Sequence, residues 1–69
     1  MMESIIKVDG MSCEHCVRAI TKAVSALPGI GSVAVDLQAG TVTVRHDPDQ
    51  SPVNKIKLAI EDQGYDVAP

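Results

Sequence analysis

Residues 32–45 read Ser32-Val33-Ala34-Val35-Asp36-Leu37-Gln38-Ala39-Gly40-Thr41-Val42-Thr43-Val44-Arg45. Val33, Val35 and Leu37 alternate with Ser32, Ala34 and Asp36, the period of two that sends successive side chains to opposite faces of a strand. Gln38-Ala39-Gly40 supplies a turn. Val42 and Val44 then alternate with Thr41, Thr43 and Arg45. The stretch predicts a β-hairpin with one apolar face.

Upstream of the hairpin the period changes. Val17, Ile20, Val24 and Leu27 recur at three- and four-residue steps, while Arg18, Thr21, Lys22 and Ser25 take the other side, so a helix is expected from about Cys16. Pro28-Gly29 stops it. Before it, residues 4–8 are short and rich in β-branched side chains and read as a strand, broken by Asp9-Gly10. Downstream, His46-Asp47-Pro48-Asp49-Gln50 reads as a polar loop. Ser51-Pro52 opens a second helix, with Ser51 expected as its N-cap and Pro52 at its first position. Val53, Ile56, Ala59 and Ile60 form the buried stripe of that helix, and Leu58 falls off the stripe into solvent. Gly64 ends it, leaving Tyr65-Asp66-Val67 for a last strand.

The order is β-α-β-β-α-β. With right-handed crossovers it gives an α+β, ferredoxin-like sandwich: a four-stranded antiparallel sheet with both helices on one face. The topology also assigns residues to ends. The first strand delivers the segment from Gly10 to Cys16 at one end, and the turn at Gly64-Tyr65 returns to that end. His46 is expected at the opposite end.

Size and composition bound the function. At 69 residues the chain is read as one domain, residues 1–69, and such a domain buries only about 60% of its unfolded surface. Hydrophobic residues make up 45%, too many for a disordered chain. Trp and Phe are absent and Tyr65 is the one aromatic residue, so no basic and aromatic surface for single-stranded nucleic acid exists. The formal net charge of −3 argues against duplex DNA, which is bound through many basic groups. No apolar run approaches the ~20 residues of a membrane span, so direct membrane insertion is not expected. The start carries no basic n-region and no long apolar h-region. The expected location is therefore the cytosol, where Cys13 and Cys16 stay thiols rather than forming a structural disulfide.

Cys13-Glu14-His15-Cys16 carries the chemistry. Two cysteines three apart at a loop-to-helix junction can aim both sulfurs at one atom. The start of a helix leaves N–H groups unpaired and carries partial positive charge, which favours thiolate over thiol. Soft thiolates select Cu(I) over harder cations, and two-coordinate binding leaves the metal open to an incoming thiolate. That openness suits a carrier. A Cys-x-x-Cys pair alone also fits a thioredoxin-like redox motif, but this chain is short for such a fold and lacks the aromatic-Cys-Gly-Pro-Cys signature.

The segment Gly10-Met11-Ser12-Cys13-Glu14-His15-Cys16 resembles the Gly-Met-x-Cys-x-x-Cys motif of heavy-metal-associated (HMA) domains. Ile60-Glu61-Asp62-Gln63-Gly64-Tyr65-Asp66-Val67 is similar to the closing segment of the bacterial CopZ-like copper chaperones within that family. The resemblance covers nearly the whole chain. It implies a non-enzymatic chaperone in copper homeostasis, with Cu(I) held by Cys13 and Cys16. The cargo would go to the N-terminal metal-binding domains of a copper-transporting P-type ATPase, and a copper-linked homodimer is a second association the metal would allow. Met11 matches the motif methionine, which packs inward beneath the loop. Ser12 stands where zinc- and cadmium-type relatives often carry Asp, and so leans toward Cu(I). Tyr65 stands where eukaryotic copper chaperones tend to carry Lys. It is a candidate to cover the site with its ring and bring its hydroxyl near the sulfurs, or else simply packs on the core edge. His15 is either an exposed loop residue or an additional ligand.

Four alternatives stay open at this stage. The chain could be one domain of a larger transporter, an Hg(II) carrier, a thiol–disulfide oxidoreductase, or a structural zinc site built from Cys13, His15, Cys16 and His46. Zinc prefers four closed ligands, and the topology separates His46 from the rest.

Overall fold

The computed structural model describes residues 1–11 and 14–68. Ser12, Cys13 and Pro69, and the expectations that fall on them, lie outside the described residues. The elements run β1 (Met2–Asp9), α1 (Glu14–Ser25), β2 (Ile30–Asp36), β3 (Thr41–His46), α2 (Val53–Asp62) and β4 (Asp66–Val67). The sheet order is β2-β3-β1-β4, and every neighbouring pair is antiparallel. This is the βαββαβ arrangement expected from the sequence.

Period-two patterning sets the faces. Ile6 and Val8 of β1 and Val42 and Val44 of β3 point inward and are buried, and Ile20, Val24, Ile56 and Ile60 from the two helices meet them in one cluster. Each such side chain, once out of water, contributes about 1.5–3 kcal/mol. The partly buried Val33, Val35, Leu27, Val53 and Val67 pack around this centre. Both helices therefore lie on one face, and Ile5, on the other face of β1, is 68% exposed. Leu58 is also exposed, as its position off the α2 stripe requires.

Local details differ from the sequence reading at four places. β1 begins at Met2 rather than Ser4, because it pairs with β3 from Met2↔His46 to Lys7↔Thr41. α1 starts at Glu14, an acidic residue placed in the first turn, where helix polarity favours negative charge. Tyr65 precedes β4 instead of belonging to it. Ser51 is not the N-cap of α2. Pro52 holds that position with extended backbone and no side-chain cap, and its carbonyl accepts from the Lys55 and Ile56 amides. The Ser51 hydroxyl is committed elsewhere: it donates to the Pro28 carbonyl at 2.6 Å.

His46 is a further correction. It is the last residue of β3, not part of a polar loop, and it is 0% exposed. A carbonyl oxygen only accepts, so His46 Nδ1 donates to the Ser51 carbonyl at 2.7 Å. Its Nε2 lies 2.9 Å from Ser4 Oγ. Together with the Ser51–Pro28 bond, these contacts tie β1, β3, the entry to α2 and the exit from α1 into one polar clamp. Gly29 belongs to the same corner. Its φ of +73° is a conformation that side chains with a Cβ avoid, and its carbonyl accepts from the Asp47 amide at 2.8 Å.

Candidate metal site

Three connections share one end of the molecule. The first leads from Asp9 at the end of β1 to the start of α1. The second is the β2–β3 turn, where Asp36 Oδ1 accepts from the Gln38 and Ala39 amides at 3.0 and 3.1 Å. The Val8 amide donates to the Gly40 carbonyl at 2.8 Å, which fixes this turn beside the end of β1. The third leads from α2 into β4. The β1–β4 register pairs Val8 with Val67 and Asp9 with Asp66, so the next step of the ladder sets Tyr65 opposite Gly10.

Among the described residues, Cys16, Met11 and Tyr65 lie towards that end. Cys16 is the third residue of α1 and is buried, at 9% exposure. The first turn of α1 surrounds it with backbone N–H groups that no carbonyl within the helix can satisfy. Met11 is half-buried and packs against the core. Tyr65 is half-buried against the same core. A Cβ added to Gly10 would lie 3.6 Å from Tyr65 Cδ1, so the ring sits directly over the glycine that opens the loop. Gly10 has φ +94°. The added methyl would meet only an ordinary contact, so backbone conformation rather than space calls for glycine there.

The two histidines separate. His15 is exposed, and it sits on α1 rather than in a loop. His46 pairs with Met2 at the far end of β1, about 23 Å along the strand from Asp9 at ~3.3 Å per residue. Both of its ring nitrogens are engaged. The zinc alternative thus loses one of its four ligands. Among the described residues no group of three or more His, Cys, Asp or Glu side chains gathers to hold a metal, and no buried side-chain nitrogen or oxygen lacks a hydrogen-bond partner. No helix among the described residues is long and apolar enough to cross a membrane.

One feature of this end was not apparent in the sequence. A groove runs between the first turns of α1 and the β2–β3 turn, lined by Glu14, Val17, Arg18, Val35, Asp36, Leu37 and Gln38. Its residues come from segments some twenty positions apart, and no local pattern announces it.

Comparisons with known proteins agree with this geometry. The family model described as "Heavy-metal-associated domain" matches residues 5–66. The chain is 50% identical over 68 residues to the copper chaperone CopZ of Bacillus subtilis (strain 168), covering 99% of each sequence. A solved structure described as a CopZ metallochaperone superposes with a TM-score of 0.94 at 43% identity, covering 97% of this chain and 100% of that one. The N-terminal domain of a potential copper-translocating P-type ATPase from Bacillus subtilis, solved in its Cu(I)-loaded state, gives a TM-score of 0.89 at 28% identity over 94% of this chain and 81% of that one. A matching family model over nearly the whole chain, a full-length relative at half identity, and a βαββαβ sheet with a cysteine at the start of α1 lead to one conclusion: the chain belongs to the heavy-metal-associated domain family.

Proposed function

We propose that this protein is a copper chaperone that carries Cu(I) on Cys13 and Cys16 as a single-domain unit in the cytosol. It passes the ion by thiolate exchange to the N-terminal domain of a copper-transporting P-type ATPase. The observation that carries the reading is the full-length match, at 50% identity, to a protein named as a copper chaperone. The likeness to a Cu(I)-loaded ATPase domain supports the choice of partner, because two carriers of one fold can present their metal loops to each other.

The chemistry follows from the residues. Two soft thiolates suit a d10 ion, and the helix start offsets the negative charge they leave on the metal site. In the transfer step an acceptor thiolate forms a new sulfur–copper bond, and then one of the chain's own sulfur–copper bonds breaks. Copper stays Cu(I) throughout, no electron moves, and the released thiolate takes a proton from water. No other covalent bond changes, so the protein is a carrier and not an enzyme. Met11 supports the loop from the core. Tyr65 covers it from the β4 side. Ser12 leaves the loop without a hard carboxylate. His15, on the exposed side of α1, is an optional additional ligand where a second molecule approaches.

The test is an anaerobic titration with Cu(I) and with Zn(II), each against a competing chelator, with the mass followed at every step. Tight retention of Cu(I) with weak retention of Zn(II) supports the reading. Zn(II) held more tightly than Cu(I) overturns it.

A further inference from the structure

We propose that residues 64–68 form a strap over the start of the metal loop, and that the strap opens as a unit about Gly64. The facing carboxylates of Asp9 and Asp66 set how often it opens. The opening is a property of the fold. Only its effect on copper release rests on the copper-carrier reading.

The strap is lightly held to the sheet. β4 has two residues and meets β1 at Val8↔Val67 and Asp9↔Asp66, whereas β3 follows β1 from Met2↔His46 to Lys7↔Thr41. The Ala68 amide donates to the Lys7 carbonyl at 2.9 Å. Bonded and non-bonded pairs alternate along an antiparallel ladder, so Asp9 and Asp66 form the next bonded pair and the Asp9 amide faces β4. The Val8 amide points the other way, to the Gly40 carbonyl at 2.8 Å. Tyr65 and Val67 pack against the core and keep the strap closed most of the time, because opening returns their apolar surface to water.

Charge works against them. Asp9 and Asp66 are both exposed and directly opposite, which sets their Cβ atoms roughly 5 Å apart. Like charges so placed weaken a strand pair. Lys7 is opposite Thr41 and stands diagonal to Asp66 instead of facing either carboxylate. Beyond the hinge, α2 ends in Glu61 and Asp62 with no basic residue in its last turn, against the partial negative charge of a helix C-terminus. Gly64 joins the two at φ +93°, with nothing within 4 Å of where a Cβ would lie. Glycine moves between backbone conformations at little steric cost. A segment with a short ladder, opposed charges and a glycine hinge opens locally while the rest stays folded. Opening lifts Tyr65 from Gly10, which it covers when closed, and uncovers the loop.

The test is amide hydrogen exchange of the apo chain, with Asp66→Asn and Asp66→Glu beside wild type. A second readout is the rate at which each Cu(I)-loaded chain releases copper to a Cu(I)-specific chelator. In wild type, after correction for intrinsic rates, the Asp9 amide should exchange about tenfold or more faster than the neighbouring Val8 amide. Asp66→Asn removes the repulsion and should protect the Asp9 amide about two- to fivefold more. High salt should narrow that difference. Asp66→Glu keeps the charge and should match wild type. Copper release should slow in Asp66→Asn by the same factor at unchanged affinity, because capture slows equally. Equal protection of Asp9 and Val8 overturns the strap, and an Asp9 amide indifferent to Asp66→Asn overturns the role of the pair. Unchanged release from a variant whose strap is better held overturns the gating of copper. A wild-type chain that holds no Cu(I) overturns the carrier reading, while exchange in the apo chain still decides the strap.

Discussion

Replacing His46 by alanine separates the stability of the fold from the metal chemistry. The ring is 0% exposed. Nδ1 donates to the carbonyl of Ser51, itself 0% exposed, and Nε2 meets Ser4 Oγ. Alanine leaves the Ser51 carbonyl buried without this donor, which costs about 1–3 kcal/mol. The emptied volume among packed neighbours adds about 2 kcal/mol or more. A total of about 3–5 kcal/mol is large here. At about 0.05–0.15 kcal/mol per residue, a chain of this length holds only roughly 3–10 kcal/mol in all. For a domain of this size each kcal/mol moves Tm by about 4–8 °C, so Tm should fall by at least about 12 °C. Thermal and urea denaturation followed by circular dichroism measure the loss. A double-mutant cycle with Ser4→Ala isolates the pair. Cu(I) affinity, measured below the new Tm, should not change, because His46 lies about 23 Å down β1 from the metal end. A stability loss under about 1 kcal/mol would refute the clamp. A changed Cu(I) affinity in a folded variant would refute the separation of the two ends.

Three further outcomes are expected. Ile20→Ala removes a fully buried α1 side chain and should cost about 2–5 kcal/mol, read as a shift of the urea midpoint at constant slope. Gly10→Ala has room for its methyl, 3.6 Å from Tyr65, but must hold φ +94°. It should cost about 1–3 kcal/mol in thermal denaturation, and an unchanged Tm would show that the loop entry relaxes freely. Leu58→Glu alters a side chain 66% exposed and should stay within about 0.5 kcal/mol of wild type; a larger loss by calorimetry would mean that Leu58 is covered in solution.

The fold was legible wherever periodicity was unambiguous. The alternation of Val33 and Val35, then Val42 and Val44, gave the hairpin, and Ile20 with Val24 and Ile56 with Ile60 gave the two helix stripes. The errors came from long-range partners. Ser51 before Pro52 is a sound local cap signal, but its hydroxyl is taken by Pro28, 23 positions away. His46 beside Asp47-Pro48 reads as loop. Yet the period of two through Val42 and Val44 already placed it on the buried face, and only Ser4, 42 positions away, and Ser51 make that burial tolerable. At the site, Tyr65 could be placed beside the start of the loop by topology alone, because β4 has to return antiparallel to β1. The groove could not, since it exists only once α1 packs against the end of β2.

The most direct test of the central claim is the Cu(I) affinity of Cys13→Ser and Cys16→Ser, each measured anaerobically against a Cu(I)-specific chelator with the fold checked by circular dichroism. Sharply weakened binding in both variants, on an intact βαββαβ fold, is the result the account predicts. Full affinity retained by either variant would contradict it.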